Sequence, residues 1–234
     1  LASVKSPDGV VTIPGFYDGV SLSDDDRSIL SSVPDDEDEI LAGMGVARAE
    51  SVAPTLQEAI QYPSLNIRGM SAAWVGEQAR TVIPPAATAE LDIRLVKESD
   101  PERLISLLRA HIESLGYTVL DRAPTDEERR RHDRIVSLTY DISYGAFRSA
   151  MDSPAGRMAR AGLESLYGDE PILIRTMGGS IPIAPIIEAL GVPAAIVPTV
   201  NIDNNQHSPN ENLRLGNFFE GIVMLMAVLS QAPP

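Results

Sequence analysis

The strict alternation of apolar and polar residues over 88–96 constrains the fold of this chain more than any other feature. The apolar positions share one face of an extended segment and the charged positions share the other: Ala89, Leu91, Ile93 and Leu95 against Glu90, Asp92 and Arg94. A period of two residues predicts a β-strand with one buried face. The shorter segment 64–68 alternates in the same way and predicts a second strand.

An amphipathic helix is predicted directly after the longer strand. Ser99 and Glu102 have the spacing of a capping box, and leucines recur at helical spacing up to Gly116. Residues 117–120 predict a short strand and residues 136–144 a longer one, with a charged surface turn or helix over 126–134 between them. The order strand, strand, helix, strand favours an α+β two-layer domain, with helices on one face of an antiparallel sheet.

The last third of the chain alternates helices with short apolar strands. Helices are predicted over 153–167 and 181–190 and from 212 or 213 to 229, and buried strands over 171–175 and 194–197. This alternation is typical of an α/β domain with parallel strands. We therefore place a domain boundary near residue 145.

Polar loops follow both predicted strands of this α/β part, at the edge where such sheets bind ligands. The loop 176–180 places Gly179 and Ser180 before a helix, where free N–H groups favour an anion. The local sequence by itself favours a tight turn with Ser180 as the N-cap. The loop 198–212 surrounds His207 with Asp203, Glu211 and several amides. An imidazole in this position suits a metal ligand or a general base, and an exposed loop histidine is the alternative.

Composition excludes several classes of protein. A net charge of -14 repels nucleic acid and anionic membrane surfaces, and the absence of Cys excludes disulfides and thiolate chemistry. No apolar run is long enough for a membrane span or a signal peptide. Residues 1–50 carry eleven acidic side chains against three basic ones, which predicts solvated helix starts, with an acidic docking tail or a cation site as the alternative.

Four short motifs then occur in order along the chain: TVIP at 81–84, DIRLV at 92–96, GGSIP at 178–182 and QHSPNE at 206–211. Together they resemble the C-terminal portion of the di-zinc exo-metallopeptidase family, which includes carnosinase-type and cytosolic non-specific dipeptidases, carboxypeptidase G, acetylornithine deacetylase and succinyl-diaminopimelate desuccinylase. The similarity spans essentially the whole chain. PGFYD at 14–18 and YPSL at 62–65 favour the dipeptidase-like branch.

The resemblance implies two kinds of domain, a zinc-binding α/β catalytic domain and an inserted α+β lid that mediates dimerisation. Residues 1–62 would be an acidic helical excursion belonging to the lid region. Residues 63–144 would form the lid without its first strand, and residues 145–234 the C-terminal part of the catalytic domain.

The resemblance also implies roles for individual residues. His207 would be the last zinc ligand, and Arg94 would bind the substrate carboxylate through its planar guanidinium. Thr81, Gly179 and Ser180 would contact the substrate. From the residues alone, a solvated partner role of Arg94 with Glu90 or Asp92 is the alternative.

The family's other zinc ligands and its general-base glutamate lie upstream of the matched part and have no counterpart in this chain. Since zinc catalysis needs about three protein ligands and a positioned base, no catalytic residue is expected among these residues. We therefore expect the C-terminal fragment of a hydrolase that uses two zinc ions and cleaves a peptide or N-acyl amide bond next to a free carboxylate. The fragment alone would be inactive.

The same interpretation predicts a small peptide or N-acyl amino acid as substrate, a homodimer formed through the lid and a cytoplasmic location. A non-catalytic dimerisation or small-molecule-binding module derived from this fold is the alternative. A serine hydrolase with Ser180, Asp203 and His207 is disfavoured, because Ile181 and Pro182 replace the pattern Gly-x-Ser-x-Gly that a nucleophile elbow requires.

Overall fold

The computed structural model describes residues 1–179 and 181–231. The helices over this part of the chain are α1 (Asp24–Ser31), α2 (Glu37–Met44), α3 (Leu56–Ala59), α4 (Pro101–Ser114), α5 (Asp126–Arg131), α6 (Pro154–Tyr167), α7 (Ala184–Leu190) and α8 (Leu215–Leu229). The strands are β1 (Ser64–Ser71), β2 (Thr88–Arg94), β3 (Thr118–Leu120) and β4 (Ile135–Ser137). The predicted fold class, in which helices are combined with both parallel and antiparallel strands, is confirmed. None of the helices in these two ranges has the length and apolar character needed to cross a membrane.

The described chain divides into two compact units. The first comprises Leu1–Ser23 and Asp35–Ala146, and the second comprises Asp24–Pro34 and the chain from Phe147 onward. The core of the first unit consists of seven buried apolar side chains: Val4, Val11, Ile13, Phe16, Leu65, Leu104 and Leu108. More than half of these lie before residue 17, so the acidic N-terminal segment supplies much of the core.

The strand β2 forms where the alternating pattern predicted it. It pairs with β1 in an antiparallel ladder that matches Leu65 with Ile93, and the register shifts between Ile67 and Gly69. Side chains on the apolar face of β2 pack against the core of the first unit. The charged face, which carries Arg94, therefore lies away from the core.

The pairing of β3 with β4 differs from the prediction. These strands pair in parallel, matching Val119 with Val136, whereas the sequence predicted a single antiparallel sheet. The helix α5 lies between them and returns the chain to the same end, so β4 runs in the direction of β3. The strand β4 is also shorter than the predicted strand 136–144, in which Tyr140 and Ile142 are exposed.

The helix α4 confirms the predicted amphipathic helix but has a different N-cap. The carboxylate of Asp100 accepts hydrogen bonds from the backbone N–H of Glu102 at 3.0 Å and of Arg103 at 3.3 Å. The hydroxyl of Ser99 instead accepts from the backbone N–H of Val96 at 3.2 Å. A carboxylate at this position also interacts favourably with the helix dipole, which explains why Asp100 takes the cap.

The second unit is organised around the packing of α6 against α8. The helix α6 confirms the predicted helix over 153–167, and its N-cap is Ser153, whose hydroxyl accepts from the backbone N–H of Gly156 at 3.2 Å. The two helices approach closely at Gly162, where a Cβ atom would lie 2.5 Å from the Cα of Val228. Near this crossing the Tyr167 hydroxyl donates to Glu220 at 2.7 Å, and this bond raises the pKa of Tyr167.

The two buried strands predicted in this unit are not formed over the described residues. The segments 171–175 and 194–197 have no ladder partner, and Ile172 is 62% exposed. A parallel strand becomes buried only when neighbouring strands pair with it and helices cover both faces. An apolar segment alone therefore does not determine whether the segment pairs as a strand.

Candidate functional site

The residues predicted to form the site belong to both units. In the first unit, Arg94 is the last residue of β2, opposite Ser64 in the ladder. Its Nε donates to the Asp92 carboxylate at 2.6 Å, and its side chain is 53% exposed. The ion pair that the sequence left open as the alternative is thus present. It holds a largely exposed guanidinium at the end of the strand.

Thr81 lies in an irregular loop between β1 and β2. The loop contains a short 3-10 turn over Gly76–Gln78, and Thr81 is exposed. The apolar residues that follow are exposed as well, with Ile83 at 96% and Val82 at 54%. The loop joins Ser71 of β1 to Thr88 of β2, whereas Arg94 lies opposite Ser64, so Thr81 and Arg94 belong to opposite ends of this hairpin.

In the second unit, Gly179 lies on an exposed loop before α7. Beyond its chain neighbours, a Cβ atom at Gly179 would meet none of the described residues within 4 Å. Nearby, the hydroxyl of Thr176 is buried and has no hydrogen-bond partner within the described chain. Ser180, the remaining predicted substrate contact, lies outside the described residues.

His207 lies in the loop between α7 and α8 and is exposed. Its φ angle of 61° places it in the left-handed region, as do the φ angles of 59° at Asn205 and 65° at Asn210. Such conformations cost about 1 kcal/mol or more each for residues other than glycine, so the surrounding contacts must hold the loop in place. The contacts come mainly from asparagine side chains.

Asn201 is the centre of these contacts. It is 5% exposed, its Nδ2 donates to Asp203 at 2.9 Å and to Asn212 at 3.2 Å, and its Oδ1 accepts from the backbone N–H of Arg214 at 3.1 Å. The donated bond from Asn201, together with the charge of Arg214, lowers the pKa of Asp203. Asn201 therefore joins the start of the loop to its end, where α8 begins.

A second amide closes the loop around His207. The backbone N–H of Asn212 donates to the carbonyl of Asn204 at 2.8 Å, and its Nδ2 donates to the carbonyl of Asn210 at 3.1 Å. Asn205 Nδ2 donates to the Pro209 carbonyl at 2.7 Å. The sequence predicted a functional loop from its polar density but missed the role of Asn201. The only signal was a polar residue placed between Val200 and Ile202.

His207 can act as one ligand of a metal ion, because an imidazole on an exposed loop binds divalent metals readily. Within residues 1–179 and 181–231, no group of three or more His, Asp or Glu side chains could hold a metal ion. These residues therefore provide a single candidate ligand and not a complete metal centre.

Comparison with known proteins gives this arrangement a context. Residues 27–119 match the family model of the peptidase dimerisation domain. The chain is 27% identical over 226 residues to the Cys-Gly metallodipeptidase of Schizosaccharomyces pombe, covering 95% of this chain and 45% of the relative. It is 24% identical over 231 residues to the human Beta-Ala-His dipeptidase, covering 97% of this chain and 43% of that protein. The predicted resemblance to metallopeptidases is confirmed.

Solved structures show the same fold. The structure of an M20 family metallo-carboxypeptidase from Sulfolobus solfataricus superposes with a TM-score of 0.73 and 23% identity. The match covers 97% of this chain and 49% of the carboxypeptidase chain. The structure of human carnosine dipeptidase 1 superposes with a TM-score of 0.71 and 24% identity. The match covers 97% of this chain and 46% of the dipeptidase chain. The chain thus spans less than half the length of the curated relatives and solved structures that it matches.

Proposed function

We propose that this chain forms part of a metal-dependent hydrolase of the dipeptidase type. The hydrolase would cleave a peptide or N-acyl amide bond next to a free carboxylate. The observation that carries this proposal is the collinear similarity to metallodipeptidases over 95% of the chain. The loop that presents His207, fixed by Asn201 and Asn212, supports it independently.

The chain's own residues would divide the work between ligand and substrate contacts. His207 would bind one metal ion through a nitrogen of its imidazole ring. A metal bound there would supply activation of water and polarisation of the scissile carbonyl. Arg94 would bind the substrate carboxylate, with Asp92 restraining the guanidinium so that its planar fork meets the carboxylate. Thr81, Gly179 and Ser180 would contact the rest of the substrate through hydroxyl and N–H groups.

We further propose that the chain is inactive by itself. One imidazole supplies one of the roughly three protein ligands that a catalytic zinc site requires, and the chain has two other histidines, assigned to structural positions. His111 bonds to the Ser3 hydroxyl at 3.0 Å and His132 to the Thr118 hydroxyl at 3.0 Å. Zinc as the metal, two ions per site and a cytoplasmic location stay predictions.

Metal binding by the chain itself tests this proposal. The chain is purified without chelator, dialysed against buffer containing zinc, and its metal content is measured by plasma mass spectrometry. We expect substoichiometric zinc that His207→Ala removes and that His111→Ala leaves unchanged, together with no hydrolysis of dipeptides. One or two tightly bound ions per chain, or dipeptide hydrolysis above the no-enzyme rate, would show that these residues form a complete site.

A dimerisation module is the second candidate function, and the family match over residues 27–119 favours it. The strand β1 pairs with β2 along one edge and carries the exposed apolar residues Ile67 at 46% and Met70 at 69%. An exposed strand edge with apolar side chains is suited to pairing with another chain. We propose that two copies associate through this part of the first unit.

A further inference from the structure

A cavity in the first unit has no role in the function proposed above. Its volume is about 400 Å³, and it lies between the turn that follows α4 and the segment that joins α5 to β4. The residues that line it are Gly116, Thr118, Arg131, His132, Asp133 and Arg134.

The charge of this cavity is opposite to that of the molecule. The lining residues carry two guanidinium groups, an imidazole and one carboxylate, that of Asp133, whereas the chain as a whole has a net charge of -14. Several other arginines of the chain form ion pairs with carboxylates. Arg122, for example, donates to Glu128 through both terminal nitrogens at 2.9 and 2.7 Å. Over the described residues, no ion pair is found for Arg131 or Arg134.

Arg134 and His132 are held in position by contacts with residues 115–118. Arg134 Nη1 donates to the Leu115 carbonyl at 3.0 Å, and its guanidinium lies 5.8 Å from the centre of the Tyr117 ring. The backbone N–H of Thr118 donates to the Arg134 carbonyl at 2.9 Å, and the Thr118 hydroxyl bonds to His132 Nδ1 at 3.0 Å. These contacts fix the Arg134 guanidinium and the His132 ring at the cavity before any ligand binds.

We propose that this cavity binds a tetrahedral oxyanion of the phosphate class, free or as the phosphate group of a small molecule. A guanidinium group matches phosphate oxygens with two N–H donors at once, and Arg131 and Arg134 can approach a dianion from separate positions. The volume accommodates a single phosphate or a small phosphorylated compound. A nucleic acid is excluded, because the remaining surface of the chain repels a polyanion.

Asp133 is the one group in the cavity that opposes an anion. Its carboxylate also accepts hydrogen bonds from hydroxyl groups, so a phosphate monoester with a neighbouring hydroxyl gains a contact there that inorganic phosphate lacks. Two guanidinium groups outweigh one carboxylate, and the net field at the cavity is attractive to an anion.

Calorimetric titration of the 234-residue chain with inorganic phosphate tests the site, with ionic strength held constant by sodium chloride. We expect saturable binding to one site with a dissociation constant of about 1 mM or tighter. Arg131→Gln removes charge-assisted hydrogen bonds and should weaken binding about tenfold. Arg130→Gln is the matched control, since it makes the same charge change one residue earlier on α5 and does not line the cavity.

The remaining outcomes decide the class of ligand. Equal loss of phosphate affinity in Arg131→Gln and Arg130→Gln would overturn the proposal in favour of a general charge effect. The absence of saturable phosphate binding would overturn the proposal as well. Acetate binding as tightly as phosphate would overturn the tetrahedral class and assign the cavity to carboxylates. Tighter binding of a phosphate monoester than of phosphate would support the site and add Asp133 to it. Because Arg131 is exposed and makes no ion pair within the described chain, its substitution leaves the fold intact.

Discussion

At the scale of single residues, Arg94 provides the most direct test of substrate binding. In an active enzyme that contains this chain, Arg94→Ala should raise KM and lower kcat/KM for substrates with a free carboxylate by about tenfold or more, since a charge-assisted hydrogen bond is lost. Arg68→Ala is the matched control. Arg68 is exposed on the neighbouring strand and lies 3.5 Å from Glu90. Equal losses on carboxylate-blocked substrates would contradict the proposed role of Arg94.

A second prediction at this scale concerns the contribution of Asn201 to the stability of the loop that carries His207. Asn201→Ala removes three hydrogen bonds made by a buried amide, to Asp203, Asn212 and the Arg214 N–H, so the free energy of unfolding should fall by about 1–3 kcal/mol. Urea denaturation measures this change. The control is Gln206→Ala, an exposed side chain in the same loop. A loss no larger than the control's would mean that Asn201 does not fix the loop.

At the scale of elements, the crossing of α6 and α8 makes two glycines respond in opposite directions. Gly162→Ala should destabilise the chain by about 1–3 kcal/mol, because the added methyl group would lie 2.5 Å from the Cα of Val228. Gly216→Ala, in the first turn of α8, meets no atom within 4 Å and should be neutral or stabilising by up to about 1 kcal/mol. Thermal unfolding of both variants checks the pair. The same sign for both would refute the close approach at Gly162.

The cap of α5 makes a prediction about pH. Glu128 accepts hydrogen bonds from Arg122 and from the backbone and hydroxyl of Thr125, and these bonds hold its pKa well below its usual value of 4.5. Its contribution to stability is therefore fully present above pH 4.5 and is lost as the pH falls toward the lowered pKa. Glu128→Gln should be less stable than the original chain at pH 7 and equal to it in strong acid. Glu127→Gln, which lacks a contact with the cap, should show no such convergence when urea curves are compared across pH.

The elements also show what could and could not be predicted from the sequence. Local patterns were sufficient for β2 and α6, since alternation and the Ser153 cap depend on neighbouring residues. Pairing was not predictable for 171–175, because a strand's hydrogen-bond partners are distant in sequence. The contacts of Asn201 likewise join residues 11 and 13 positions apart, whereas the pairing of Arg94 with Asp92 spans two and was one of the alternatives the sequence offered.

At the scale of the whole molecule, net charge and association oppose each other. Two copies that each have a net charge of -14 repel one another, so the proposed dimer should dissociate more readily at low ionic strength. Raising the salt from about 20 to 300 mM shortens the Debye length from roughly 20 Å to 6 Å, and the dissociation constant should fall. Sedimentation velocity over a concentration series measures both states.

Substitutions on β1 separate this charge effect from the interface itself. Met70→Lys places a charge on an exposed apolar position of the strand and should abolish the dimer at every salt concentration. Met177→Lys is its control, because Met177 is an exposed methionine of the second unit and the same charge change there leaves β1 intact. If the dimer still forms in the Met70→Lys variant, the interface does not lie at β1. A dissociation constant that rises with salt would instead mean that ion pairs between the copies outweigh their mutual repulsion.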